Sequence, residues 1–331
     1  MPLRKGKLGG NLPQIVMNSK EKRLKMSRVL RIWIIGLTLL VSGAVHASGG
    51  GSSSKPLAGA YPIVLAHGLF GWGKSTGIID YWGGNAAYLQ SQGATVLTPT
   101  VTATSSSSAR AAQLKTAIQT AMAANNYTGK VHIIGHSQGG LDARYLVSNL
   151  GFASKVATLT TLNTPHYGSP VANVVLTVIP SWALPYVATV LNTVVGFVYG
   201  ESNQNAVAAL KLLTTAGATA FNSSTPNASG VKYFSYGSTI TVPDLIEHPA
   251  MGLIYPICAI GAPFYGQSIS NDGVVPASSQ QWGTWKGGPS YPITTTGIDH
   301  LEATNALYLG QTWYDTNGYF LKMASNSKSN Q

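Results

Sequence analysis

The chain is poor in cysteine and in charge. Cys258 is its only cysteine, which excludes an intrachain disulfide and any zinc site built on several thiolates. Charged residues make up 9% of 331, with 10 Asp and Glu against 21 Lys and Arg. Any chemistry that needs a carboxylate must draw on this short set. A formal net charge of +11 invites a nucleic-acid partner, but the charge is unevenly placed. Nine of the 21 basic residues precede residue 48, where Glu21 is the only acid, leaving 12 basic and 9 acidic residues and a net of +3. No basic face remains, so no nucleic-acid partner is expected. Hydrophobic residues, at 44%, are ample for a core and exclude wholesale disorder.

The N-terminal basicity reads as an export signal. Arg28 and Arg31 precede the uncharged run 32–45, and Val45-His46-Ala47 offers small residues at a cleavage site. The run is shorter than the about 20 apolar residues of a membrane span. Counting from Met26 gives a signal of ordinary length. The expected organisation is an N-terminal extension and signal over 1–47, a Gly/Ser-rich linker over 48–57, and one domain over 58–331. The mature protein is expected to be secreted through the periplasm, with no stable membrane span.

From Tyr61 onward, short apolar runs alternate with helical patterns. Pro62–Ala66, Ala94–Leu97, Val131–Ile134 and Val156–Leu162 read as buried strands. Asn85–Gln92, an Ala-rich stretch capped by the serines at 105–108, and Gly139–Leu150 read as helices. This alternation predicts an α/β fold with a mostly parallel sheet and helices on both faces. Pro170–Gly200 carries no charged side chain and is interrupted by Pro180 and Pro185. It reads equally as buried core helices or as an apolar helical lid within about 170–200 that meets a lipid surface.

Two motifs compete. Gly68-Leu69-Phe70-Gly71-Trp72-Gly73-Lys74-Ser75 fits the phosphate-binding P-loop formally. However, the glycine-broken stretch 76–84 lacks the helix that would hold phosphates, and no later strand ends in a magnesium-binding Asp. Gly135-His136-Ser137-Gln138-Gly139 fits G-x-S-x-G and lies between a strand and a helix, the context that motif requires. Glycines two before and two after the serine relieve crowding at a sharp turn that lifts its hydroxyl into the open.

A serine hydroxyl needs a base, and the base needs an acid to orient it. His166 comes too early for the order Ser, Asp, His, whereas His300 is late and in a loop. Asp142 lies on the helix leaving the elbow and is assigned to a local cap or pair. Asp299 adjoins His300 and is expected to point elsewhere. Asp272, in the turn Asn271-Asp272-Gly273, precedes His300 by 28 residues and is the expected acid. The backbone N–H groups of Gln138 and Leu69 are the candidate oxyanion donors. For the His67 side chain, a structural hydrogen bond is favoured over polarising a substrate.

With these residues placed, the sequence resembles the secreted bacterial triacylglycerol lipases of the Pseudomonas/Burkholderia type, which have the α/β-hydrolase fold. The resemblance rests on Y-P-I-V-L-A-H-G-L-F-G from Tyr61, I-G-H-S-Q-G-G from Ile134, T-P-H-Y-G-S from Thr164, N-D-G-V-V from Asn271 and D-H-L-E from Asp299, in family order. It implies hydrolysis of long-chain acylglycerols at a lipid–water interface, with nucleophile Ser137, acid Asp272 and base His300, and a lid after Pro170. It further implies a structural calcium held by Asp244, Glu302 and the carbonyls of Ala306 and Gly310. Glu302 stands where Asp is usual and Ala306 where Gln is; neither change forbids calcium. The family disulfide cannot form, which leaves partnership with a lipase-specific foldase open. A carboxylesterase or polyester depolymerase would share the same three residues; a nucleotide-binding protein would not.

Overall fold

A computed structural model describes residues 55–71, 80–178, 204–243, 248, 251–289, 296–306 and 314–331. The signal-like segment, the linker before Lys55, Lys74, Asp244, Gly310 and the stretch 179–203 lie outside the described residues. Six parallel strands form the sheet: β1 (Ile63–Ala66), β2 (Val96–Leu97), β3 (Val131–His136), β4 (Val156–Leu162), β5 (Lys232–Tyr236) and β6 (Thr284–Trp285), in the order β2-β1-β3-β4-β5-β6. The described helices are α1 (Asn85–Ser91), α2 (Ser107–Ala124), α3 (Gln138–Asn149), α4 (Pro170–Val178), α5 (Ala206–Leu213), α6 (Thr215–Ser224), α7 (Met251–Gly261) and α8 (Thr316–Lys328).

The central strands β1, β3 and β4 are buried without interruption because both sheet faces are covered. Alternate side chains divide between the two sides. Ile63, Leu65, Ile134 and Leu162 join Trp82, Leu89 and Phe320 beneath α1 and α8. Val64, Ile133 and Leu159 join Leu114, Ile118 and Leu146 beneath α2 and α3. The folded region starts before residue 58, which corrects the linker boundary: Leu57 is fully buried and its N–H bonds Gln92 O at 3.0 Å. A burying, hydrogen-bonded Leu cannot remain in a free linker. Ser106 caps α2 by accepting from Ala109 N. Of α4, only Pro170 and Ala172 are buried, and Val178 is 72% exposed. This part of the lid segment is therefore not a core helix. No helix among the described residues is long and apolar enough to cross a membrane.

Candidate active site

Ser137, Leu69, Asp272 and His300 all lie beyond the carboxyl ends of strands, where open α/β sheets place ligands. β3 runs directly into Ser137, which caps α3 with φ 55° and ψ −130°, outside the comfortable range of a non-glycine residue. Close approach explains the flanking glycines. A Cβ at Gly135 would meet Gly140 Cα at 2.7 Å, and one at Gly139 would meet His67 O at 2.6 Å. α3 can start where it does only because these side chains are absent.

Asp272 and His300 come from loops after β5 and β6. Ile240 forms bridges to both Asn271 and Gly297, and His300 N donates to Asp272 O at 2.8 Å, so the two loops are fastened together. Asp272 is fully buried. Its Oδ1 accepts from Val274 N at 2.9 Å and Val275 N at 2.7 Å, leaving Oδ2 to accept from His300 Nδ1 at 2.7 Å. That bond assigns the ring proton to Nδ1, and Nε2 accepts from the Ser137 hydroxyl at 2.9 Å. The hydroxyl, imidazole and carboxylate thus form one hydrogen-bonded line across 163 and 28 residues of sequence separation. Such a line lets the imidazole take the serine proton while the carboxylate stabilises the resulting cation.

Ser137 N is spent on Leu162 O and Gly68 N on the Tyr81 hydroxyl, whereas no protein acceptor takes the backbone N–H of Leu69 or Gln138 among the described residues. The Gln138 side chain is fully buried and donates to Ser105 O at 2.7 Å, which fixes the start of α3. The His67 ring is committed elsewhere. Val101 N donates to its Nε2 at 3.1 Å, its Nδ1 donates to Gly68 O at 2.9 Å, and burial, with Arg110 beside it, pushes its pKa down to about 3. It is a neutral structural group. Of the P-loop-like stretch, Gly68–Gly71 are described. They sit against Ser137, where a Cβ at Gly68 would come within 2.7 Å of the Ser137 Cβ.

Asp142 does not pair locally. Its Oδ2 accepts from Arg110 Nε at 2.7 Å and its Oδ1 from Ser107 at 2.5 Å, both on α2. The Arg110 guanidinium also donates to the carbonyls of Thr102, His67 and Gly68. A fully buried ion pair therefore ties the loop after β1 to the helix after Ser137. Sequence spacing could not reveal it, because the partners lie 32 residues apart on different helices. Asp299 points away from the Ser137 line: Oδ2 takes His248 Nδ1 at 2.5 Å, and Oδ1 takes the N–H groups of Leu301 and Glu302. His166 is buried and stacks on Trp282.

Two of the four expected calcium ligands are described. Glu302 is 2% exposed and its Oε2 accepts from Asp299 N at 2.8 Å, while Ala306 N bonds Leu301 O. One carboxylate and one carbonyl fall short of the about six to eight oxygens of a calcium shell. Among the described residues no three His, Cys, Asp or Glu come together. The described residues alone therefore do not make a calcium site.

Four buried histidines have depressed pKa values: His67 at about 3, His136 and His166 well below 6.5, and His132 also below it, all chiefly through burial. The unfolded chain protonates them as pH falls below 6.5, whereas the folded chain does not, so stability is complete above 6.5 and declines on acidification. Each contributes up to about 1.4 kcal/mol per pH unit. Asp142, raised by burial, opposes this as a single group. The denaturant midpoint should therefore fall between pH 7 and 5, and a flat profile would contradict the neutral assignment.

A model of the alpha/beta hydrolase fold matches residues 61–239. A triacylglycerol lipase of Pseudomonas fragi is 30% identical over 274 residues, covering 76% of this chain and 89% of its own. The chain belongs to the bacterial lipases of the α/β-hydrolase family. Within this family, the triacylglycerol lipases of Burkholderia plantarii (36% over 203 residues, 58% of this chain) and Vibrio cholerae (35% over 216 residues, 59% of this chain) are also similar. The match spans about half of the Burkholderia relative, 54%, and 68% of the Vibrio one. Solved structures agree in fold. A metagenomic carboxyl esterase has a TM-score of 0.58 at 16% identity, covering 88% of this chain and 80% of its own. Lipase 1 of Pelosinus fermentans has 0.55 at 21%, covering 80% and 98%.

Proposed function

We propose that this chain is a secreted triacylglycerol lipase that hydrolyses long-chain carboxylic esters at a lipid–water interface through an acyl-enzyme on Ser137. The observation that carries the reading is the line from Ser137 Oγ through His300 to Asp272. As Ser137 Oγ attacks the ester carbonyl, its proton passes to His300 Nε2, while Asp272 holds Nδ1–H and keeps the tautomer. The developing oxyanion is met by the backbone N–H groups of Leu69 and Gln138, at the positive end of α3. His300 then returns the proton to the departing alcohol. Water, deprotonated by the same imidazole, attacks the acyl-serine and regenerates the hydroxyl.

Preference for long chains and an oil surface is supported by apolar exposure. Ile260, Phe264 and Ile269 are 71%, 84% and 63% exposed, on or just after α7, within a run from Pro249 to Asn271 that has no Asp, Glu, Lys or Arg. α7 packs on α4, whose end exposes Val178. Together with Pro170–Val178, the described part of the uncharged segment, this makes a surface that water does not favour and a lipid layer would. The N-terminal signal pattern supports secretion.

The test is a chain-length series of esters, each measured below and above the concentration at which it forms an emulsion. The proposal expects activity to rise with acyl length and to jump when the interface appears. A maximum at short, monomeric esters with no jump would instead identify a carboxylesterase. Calcium enters the proposal only as a structural ion at the loop of His300. Its chelation should lower the Tm, and an unchanged Tm would remove it.

A further inference from the structure

A second buried line of hydrogen bonds crosses the site beside the first. Gly68 N donates to the Tyr81 hydroxyl at 2.9 Å, that hydroxyl lies 2.6 Å from His136 Nδ1, and His136 Nε2 lies 3.0 Å from His300 O. Its polarity has one solution. The His300 carbonyl can only accept, so Nε2 carries the proton; Nδ1 must then accept, the tyrosine hydroxyl donates to it, and the phenol oxygen remains to take the Gly68 N–H. Tyr81 is 5% and His136 1% exposed, so water does not compete for either.

The ends of this line matter more than its middle. Gly68 adjoins Leu69, whose N–H is the donor that the loop after β1 still has to offer. A Cβ at Gly68 would collide with Ser137 Cβ, the Tyr81 hydroxyl at 2.9 Å and His136 O at 3.1 Å, so that loop is seated directly on these three residues. At the other end, His300 O belongs to the residue whose ring must reach both Ser137 and Asp272. We propose that Tyr81 and His136 are positioning residues that hold the oxyanion-donor loop and the backbone of the His300 base in one mutual geometry. The inference rests on the function proposed above. His136 occupies the variable position of G-x-S-x-G and is the last residue of β3, immediately before Ser137. Burial, with the His300 ring next in effect, keeps its pKa well below 6.5, which favours the neutral ring that the line requires.

The experiment uses the full chain and a soluble short-chain p-nitrophenyl ester. Tyr81→Phe removes one hydroxyl and should lower kcat by about 10- to 100-fold while KM stays within about twofold, since misplaced groups lose the transition state and not the substrate. Affinity for a trifluoromethyl ketone, which adds Ser137 and puts an oxyanion in the same place, should fall by the same factor as kcat/KM. His136→Gln keeps a donor toward His300 O and should retain more activity than His136→Leu, which also serves if Tyr81→Phe fails to fold. Leu89→Ala, an apolar core residue on α1 that makes none of the line's hydrogen bonds, controls for lost stability. The proposal is overturned if Tyr81→Phe keeps kcat within about threefold, if ketone affinity is unmoved, or if Leu89→Ala shows the same kinetic pattern. Failure of a fluorophosphonate to label Ser137 in the parent protein would overturn the lipase reading itself; normal labelling with an unaffected Tyr81→Phe would overturn only the positioning role.

Discussion

Ser137→Ala is expected to lower kcat/KM for a soluble ester by at least about 10^4-fold while leaving the Tm within about 1 °C of the parent. The substitution deletes one oxygen. It leaves β3, α3 and the glycines that let them meet, and it leaves the His300–Asp272 pair intact. Stability should be indifferent because Ser137 makes no side-chain capping bond to α3. Among the described residues its hydroxyl has one hydrogen-bond partner, His300 Nε2 at 2.9 Å. A loss of activity accompanied by unfolding would say nothing about nucleophilicity; a silent fold with no turnover is the specific signature. Activity above about 1% of the parent would require another nucleophile.

The largest stability effect should come from Arg110→Ala. Arg110 and Asp142 are both buried, at 0% and 1% exposure, so removing the guanidinium strands a carboxylate in the interior. Breaking such a pair costs about 3–5 kcal/mol, which for a domain of this size is a Tm decrease of about 5–10 °C. The same change frees the carbonyls of His67 and Gly68, so activity should fall further than the residual folded fraction explains. Arg110→Ala with Asp142→Leu replaces the pair by apolar groups. It should recover part of the stability but not the activity, because the loop after β1 stays untethered. Thermal unfolding and kcat on the two variants separate these effects. Equal recovery of both would show that Arg110 supports the fold alone.

These two predictions draw on different kinds of legibility. Ser137 could be read directly because an apolar run, two glycines at fixed spacing and a helical pattern are local signals. Asp272 and His300 could be selected because so few acids and late histidines exist, and they are the groups whose atoms reach one another. Arg110 could not. On an Ala-rich helix its charge reads as solvent-facing, and nothing local marks that α2 turns it inward toward α3. The assignment of Asp142 to a local partner failed for the same reason: hydrophobic period reports which face is buried, not which distant polar group is met there. Tyr81 had no signal beyond an aromatic in a glycine-rich loop, and His136 was hidden by the variable position of its motif. Strands β1 to β4 were visible because parallel strands buried on both faces leave largely apolar runs, whereas β5, which opens on the exposed Lys232, was not read as a strand. β6, with Thr284 and Trp285 both exposed at the edge, leaves no such trace.

The arrangement concentrates two long-range devices at one place. Arg110 fastens the loop of Gly68 from the α2 side, and Tyr81 with His136 fastens it from the His300 side. Both converge on a backbone whose next N–H must meet a charge that exists only during reaction. Such donors are effective only when their position is set before the charge develops. That requirement gives a physical reason for burying so much polar structure around a single hydroxyl.

The most direct test of the central claim is exposure of the purified full chain to a fluorophosphonate, followed by peptide mass spectrometry. The account predicts a single phosphonyl adduct on Ser137, its rate reduced by at least about 10^3-fold in His300→Ala and absent in Ser137→Ala. Labelling of a different residue, or none on the active protein, would contradict it.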